Sequence, residues 1–237
     1  MAEEIKNPPS RRSRAPASRE EFLEAGRSML RSGECRTPAD VKLGLVVRAV
    51  GKTTGSAYYI WDDQSHFQTD LARYVIDRDA FDGTAAISNR AIRSLERHEP
   101  VTEVIRHGAE AFVQQQLASG GFDIFLRYWG ATGSDEVVVS DVRAGYVRYH
   151  KEFRALYVNL MDAYNLRPRK PYTADDITIT LAMAAEGYML RIVGEPERAK
   201  RRVRKVGTDG KTRQWTLLGC MISALVTEMC EPKPNNS

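Results

Sequence analysis

Between Gly51 and Trp61 the chain reads Lys52-Thr53-Thr54-Gly55-Ser56-Ala57-Tyr58-Tyr59-Ile60. Five hydroxyl side chains and one cation fall within eight residues, with apolar anchors directly behind them. Hydroxyls and ammonium groups of this kind donate to phosphate oxygens and base edges. Thr53 suits two roles, capping a helix and donating to a phosphate. Thr54 and Ser56 would project from the first turn and have few structural reasons to be polar. Gly55 permits close backbone approach, either to a groove or to another helix. Tyr58 and Tyr59 can offer hydroxyls to phosphates or rings to thymine methyl groups, and either could instead be a core aromatic. Lys52 is placed for a phosphate, with Lys42 and Arg48 as surface cations nearby.

Other chemistry is sparse. His66, His98, His107 and His150 share no metal-ligand spacing, and no nucleophile elbow or phosphate-loop pattern occurs. Cys35, Cys220 and Cys230 form an odd set without C-x-x-C spacing, which reads as reduced, partly buried thiols. The expectation is no catalytic residue, no metal and no cofactor. A helical adaptor or scaffold, or a small-molecule enzyme, is the rival reading.

The elements that must position Lys52 to Tyr59 are helical. The chain has 237 residues, 42% hydrophobic and 28% charged, as in ordinary globular proteins. No apolar run approaches bilayer length and the first residues lack a secretory apolar core, so a cytoplasmic protein without a membrane partner is expected. The formal charge is +4, but Glu195 to Arg213 holds eight basic and three acidic residues. Bulk charge therefore carries no argument for nucleic acid, and this basic run reads as a solvated loop. Residues 1–17 read as a flexible basic arm bearing Arg11, Arg12 and Arg14.

Ser18-Arg19-Glu20-Glu21 opens a first helix that Gly33 stops. Thr37-Pro38 opens a second that Gly51 closes. Thr53 and Asp63 open a third and a fourth. Beyond Ile76 the periodicity stays helical. Pro100 opens one helix, Gly120-Gly121 breaks the chain, and Ser134 caps a long helix. In that helix the spacing outweighs the strand propensity of Val137-Val138-Val139. Thr173 opens a helix to Val193, and the last helix spans about Arg213 to Met229. The fold class is all-α: a helix-turn-helix domain at 18–76, a larger helical domain at 77–231, and a tail at 232–237.

Three helices with a tight turn before a polar-fronted third describe a helix-turn-helix. Val46-Val47, Gly51, Thr53, Gly55-Ser56, Tyr58, Trp61, Gln64 and Phe67 resemble the TetR family of bacterial regulators over about Arg19 to Val75. Lys52 stands where that pattern has an apolar residue, and Gln64 where it has a phosphate-contacting Lys, beside Asp62 and Asp63. The resemblance implies double-stranded DNA as partner, met by Lys42, Lys52, Thr53, Thr54, Gly55, Ser56, Tyr58, Tyr59 and Gln64. Tyr58 would take the phosphate and Tyr59 would face the groove. It further implies a ligand-responsive repressor, homodimeric through its last two helices on a palindromic operator. The effector would be a mostly apolar small molecule, in a cavity lined by Phe112, Gln116, Phe125, Tyr128, Trp129, Tyr146, Tyr149, His150, Phe153, Tyr157 and Met183.

Overall fold

The computed structural model describes residues 18–80, 84–119, 122–123, 126, 136–207 and 210–234. The basic arm, the Gly120-Gly121 break, the Ser134 cap, Phe125, Tyr128 and Trp129 lie outside them. The chain divides into two compact units, Met1–Leu71 and Ala72–Ser237. The division falls inside a helix rather than at the expected Ile76.

In the first unit, α1 spans Arg19–Ser32, α2 Leu43–Val50, α3 Thr54–Tyr58 and α4 Gln64–Val75. The Ser18 hydroxyl accepts from the Glu21 amide, and Gly33 stops α1 in the left-handed conformation at φ 79°. Such a backbone suits glycine, which has no Cβ to clash. The second helix begins later than its Thr37-Pro38 signal suggests. Thr37 and Asp40 form a capping box that closes only a 3-10 turn, Pro38–Asp40. Val41 is then extended, its carbonyl taken by Gln64 Nε2 at 2.8 Å. Gln68 Nε2 binds the Ala39 carbonyl. Side chains from α4 thus replace the helical partners that these carbonyls would otherwise need.

Phe22, Leu23, Val41, Val46, Ala57, Trp61, Phe67 and Leu71 are almost wholly excluded from solvent. Trp61 meets Phe22 and Phe67 edge-on, at centroid distances of 5.8 and 5.1 Å. Gly26 allows α1 to approach α4 closely, since a Cβ there would lie 3.0 Å from both Leu71 methyl groups.

Buried Asp70 holds this unit together by polar contacts. Its Oδ2 accepts from Trp61 Nε1 at 2.7 Å and from Arg19 Nε at 2.8 Å, and Arg19 Nη2 lies 2.7 Å from Oδ1. Burial pushes this carboxyl up. The hydrogen bonds from Arg19 and Trp61, with the Arg19 charge, outweigh burial and leave it below its ordinary value. A carboxylate held down in the fold stabilises it above the unfolded-state value, and that contribution is lost as pH falls through the folded one. The first unit should therefore weaken in acid below about pH 4, the ordinary Asp value. Asp70→Asn should flatten that part of an acid titration followed by circular dichroism.

The second unit contains α5 Thr84–Glu96, α6 Val101–Ser119, α7 Glu136–Ala163, α8 Ala174–Gly194, the short α9 Pro196–Ala199 and α10 Leu217–Met229. Thr173 caps α8 through a reciprocal box with Asp176. Ala109, Phe112, Val113, Ala185, Tyr188, Met189, Ile192 and Leu218 form one core cluster, and Met161, Ile177, Leu181, Met229 and Cys230 another. Tyr188 donates its hydroxyl to the Ala199 carbonyl at 2.9 Å, tying α9 to α8.

Two short antiparallel pairs interrupt the helices. Strand β1, Leu166–Pro168, pairs with β4, Cys230–Pro232. Strands β2, Arg202–Val206, and β3, Thr212–Thr216, form a hairpin. The expected solvated loop is therefore a structured ribbon for much of its length. Its inner face carries Val203, Lys205, Arg213 and buried Trp215, with Lys205 Nζ 4.4 Å from the Trp215 ring centroid. Glu103 on α6 binds Arg213 at 2.9 Å, and Glu110 on α6 binds Arg202. The last helix starts at Leu217, not Arg213, because Thr212 to Thr216 is paired strand and Thr216 Oγ1 caps the Gly219 amide at 2.9 Å.

Candidate nucleic-acid interface and ligand cavity

Gly51 ends α2 at φ 68°, and its amide reaches the Arg48 and Val47 carbonyls. The Lys52 amide binds the Val47 carbonyl at 3.1 Å, which fixes the turn. Three residues after α2 closes, α3 begins. Its floor is Ala57, fully buried, and its end is pinned by the Ile60 and Trp61 amides on the Ala57 carbonyl. Ser56 is half-buried, while Thr54 and Gly55 are exposed, as is the flanking Thr53; Tyr58 is 52% exposed and the following Tyr59 93%. Neither tyrosine is a core aromatic. Trp61 is the core residue, at 1% exposure.

Thr53 occupies the cap position with extended backbone, but its side chain makes no capping bond. Instead Ser56 Oγ donates to the Thr53 carbonyl at 2.6 Å. The Thr53 hydroxyl is thereby left on the surface, and the Ser56 hydroxyl is turned back on the helix. Lys52 is half-buried at the turn and Lys42 is exposed at the start of α2.

Gln64 is placed differently from a surface contact. Its Oε1 accepts from the Leu43 amide at 2.8 Å while its Nε2 donates to the Val41 carbonyl. Both ends of the amide are spent on the entry to α2, so this side chain braces the motif. The helix amides at the start of α4 are also engaged: Asp63 Oδ1 accepts from the His66 amide at 2.7 Å. Asp62 lies 3.6 Å from His66 Nδ1. A carboxylate at a helix N-terminus is favourable, which accounts for acidic residues beside an otherwise polar, hydroxyl-rich surface.

The second unit contains an apolar cavity of about 110 Å³, open on one side. Helices α5, α6, α7, α8 and α10 all contribute to its wall, with Leu166 and Cys230 from the β1–β4 pair. Of the residues expected there, Phe112, Tyr149, Phe153 and Tyr157 line it. The Phe153 ring stands 4.3 Å from that of Tyr149 and 5.6 Å from that of Tyr157. The other described candidates do not line it. Gln116 is buried elsewhere, His150 pairs with Asp175 at 2.9 Å on the surface, and Met183 is 57% exposed. Tyr146 is partly exposed and hydrogen-bonds Glu186, whose carboxyl is raised by burial. His150 and Met183 sit on the right helices but one or two residues round from the lining positions Tyr149 and Leu181, a rotation of 100° per residue. Most of the wall is aliphatic, and no sequence signal separates such residues from ordinary core.

Of the apolar residues on the two helices expected to form a dimer, Ile177, Leu181, Ala185, Tyr188, Ile192 and Leu218 are buried within the chain. Ile179, Met183, Leu190 and Val193 are exposed on α8, and Met221, one of the residues expected at a dimer face, is exposed on α10. Helix α8 has 21 residues and an 18-residue window of mean hydropathy 1.3, so by length and composition it could cross a membrane. Its opposite face is spent on the core.

No family model matches the chain, and no curated protein matches it. Among solved structures it is similar to one provisionally described as a TetR-family transcriptional regulator from Rhodococcus sp.. That likeness has a TM-score of 0.43 at 12% identity and covers 89% of this chain and 97% of the other. The helical architecture stands on the elements described above, not on this likeness.

Proposed function

We propose that the chain is a DNA-binding transcriptional regulator of the TetR type, acting as a homodimer on a palindromic operator. The observation that carries this reading is α3. Its five residues are fixed by a tight turn, Ala57 and Trp61, and with the Tyr59 that follows they present Thr54, Tyr58 and Tyr59 to solvent with no structural use for them. Exposed tyrosines on a rigid element bury apolar area usefully only against a partner. A helix presented this way fits a major groove, with Lys52, Thr53 and Tyr58 on phosphates and Thr54, Gly55 and Tyr59 toward base edges. Gln64 and Ser56 support the motif and leave the phosphate contacts to those residues; Lys42 is a peripheral cation. A gel shift with the DNA flanking the chain's own gene tests the reading. Retention of the shift under excess unrelated DNA is the expected result. No shift at any salt concentration would end the DNA-binding reading and leave the adaptor alternative.

The exposed stripe of Ile179, Met183, Leu190 and Met221 supports pairing through α8 and α10. A four-helix packing would cover it. Light scattering at micromolar concentration should give twice the chain mass, and Met183→Glu should lower it; a monomer throughout would contradict this interface. The cavity supports an effector in the second unit. A ligand acts there only by binding one state of the dimer better than the other, which shifts its affinity for operator DNA. Repression, by occupying a promoter, is the mode this reading takes.

A further inference from the structure

The cavity wall specifies what can fill it. Every described residue lining it is uncharged. The polar side-chain groups among them are those of Tyr149, Tyr157, Tyr164 and Cys230. Two of these are engaged within the protein. Tyr164 donates its hydroxyl to the Glu99 carbonyl at 2.7 Å, and Cys230 Sγ lies 3.9 Å from Met161 Sδ. Tyr149 is buried, with Tyr157, Glu186 and Tyr146 near it. Tyr157 is different. It packs beside Phe153 and against the Met161–Ile177–Leu181 cluster. Among the described residues its hydroxyl meets no hydrogen-bond partner; burial raises it, and it lies close enough to Tyr149 to raise that phenol in turn.

A hydroxyl held in an apolar wall without an acceptor is unfavourable until something supplies one. An ion in the same space would find no counter-charge, and burial of an unpaired ion is strongly opposed. The cavity, about 110 Å³, is of the order of the roughly 150 Å³ that accepts benzene, and its wall is not closed, so a short substituent on a single ring can extend past it.

We propose that the cavity takes an uncharged, largely apolar molecule of single-ring size that carries one hydrogen-bond acceptor, and that the Tyr157 hydroxyl donates to it. This deepens the effector reading and rests on it for its regulatory meaning, but binding can be measured without reference to DNA. Three probes of one shape separate the contributions: acetophenone has the acceptor, ethylbenzene lacks it, and benzoate carries a charge.

Calorimetry on the full chain should show acetophenone binding more tightly than ethylbenzene, with benzoate weaker than acetophenone by about 100-fold or more. Tyr157→Phe should weaken acetophenone about five- to tenfold, the worth of one neutral hydrogen bond. Ethylbenzene should bind the variant as it binds the parent, which shows that the cavity is intact. The proposal is overturned if benzoate rivals acetophenone, if Tyr157→Phe leaves acetophenone unchanged, or if neither neutral probe binds. Acetophenone that binds through Tyr157 yet never alters operator affinity would end the effector reading and leave this site standing. Operator binding by a protein that takes up no probe would do the reverse.

Discussion

Trp61→Ala should unfold the first unit and abolish DNA binding, although Trp61 touches no DNA in this account. The indole fills the space between Phe22 and Phe67 and is almost fully buried. Removing a large core aromatic costs about 3–5 kcal/mol, a large share of the roughly 5–15 kcal/mol that holds a domain together. The loss is compounded because Asp70 loses the Trp61 N–H and keeps only Arg19. Trp61→Phe separates the two effects: it retains most of the ring packing and forfeits the hydrogen bond, at about 1–3 kcal/mol for the group left short of a partner. Chemical denaturation followed by circular dichroism should show a separate early transition for Trp61→Ala, with the second unit still helical. A single transition at the parent midpoint would mean that Trp61 is not the keystone described.

The second large effect is on affinity. Lys52→Ala with Tyr58→Ala should weaken binding to any duplex without unfolding the protein, because Tyr58 is 52% exposed and Lys52 lies at the turn, outside the buried core. The two residues contribute differently. Lys52 neutralises a phosphate and releases counterions, so its loss reduces the salt dependence. Tyr58 donates a neutral hydrogen bond, so its loss lowers affinity at every salt concentration with little change in slope. Tyr59→Ala should act more on preference among sequences than on overall affinity, as expected of a residue facing base edges.

The first unit was largely legible in the sequence because its signals are local. Ser18, Gly33, Gly51 and Asp63 each act within four residues, and each ends or starts a helix where the pattern says. Thr53 shows the limit of that method: the position is a cap, but the Ser56 hydroxyl takes the Thr53 carbonyl and the Thr53 side chain stays out of the helix. Gln64 shows another. As a departure from a family pattern it reads as a missing phosphate contact. Its actual work, bracing Val41 and Leu43, depends on partners more than twenty residues away.

In the second unit the hairpin was hidden by its charge. Arg202-Val203-Arg204-Lys205-Val206 and Thr212-Arg213-Gln214-Trp215-Thr216 flank the turn glycines Gly207 and Gly210, a hairpin pattern with basic residues where polar ones usually alternate. Counting charge concealed the alternation. The β1–β4 pair joins two three-residue strands about sixty positions apart and had no local signal at all. The cavity was legible only in its aromatics, because an aliphatic side chain lining a void and one filling a core have the same sequence.

The most direct test of the account is the salt dependence of operator binding by the parent and by Lys52→Ala, with Arg204→Ala on the exposed hairpin face as control. Each Lys52 on a phosphate contributes about 0.9 to the slope of log K against log salt, so a dimer should lose about 1.8. Arg204→Ala should leave slope and affinity unchanged. An unchanged slope for Lys52→Ala, or a slope that falls only with Arg204→Ala, would contradict the claim that this protein meets DNA through the turn and α3.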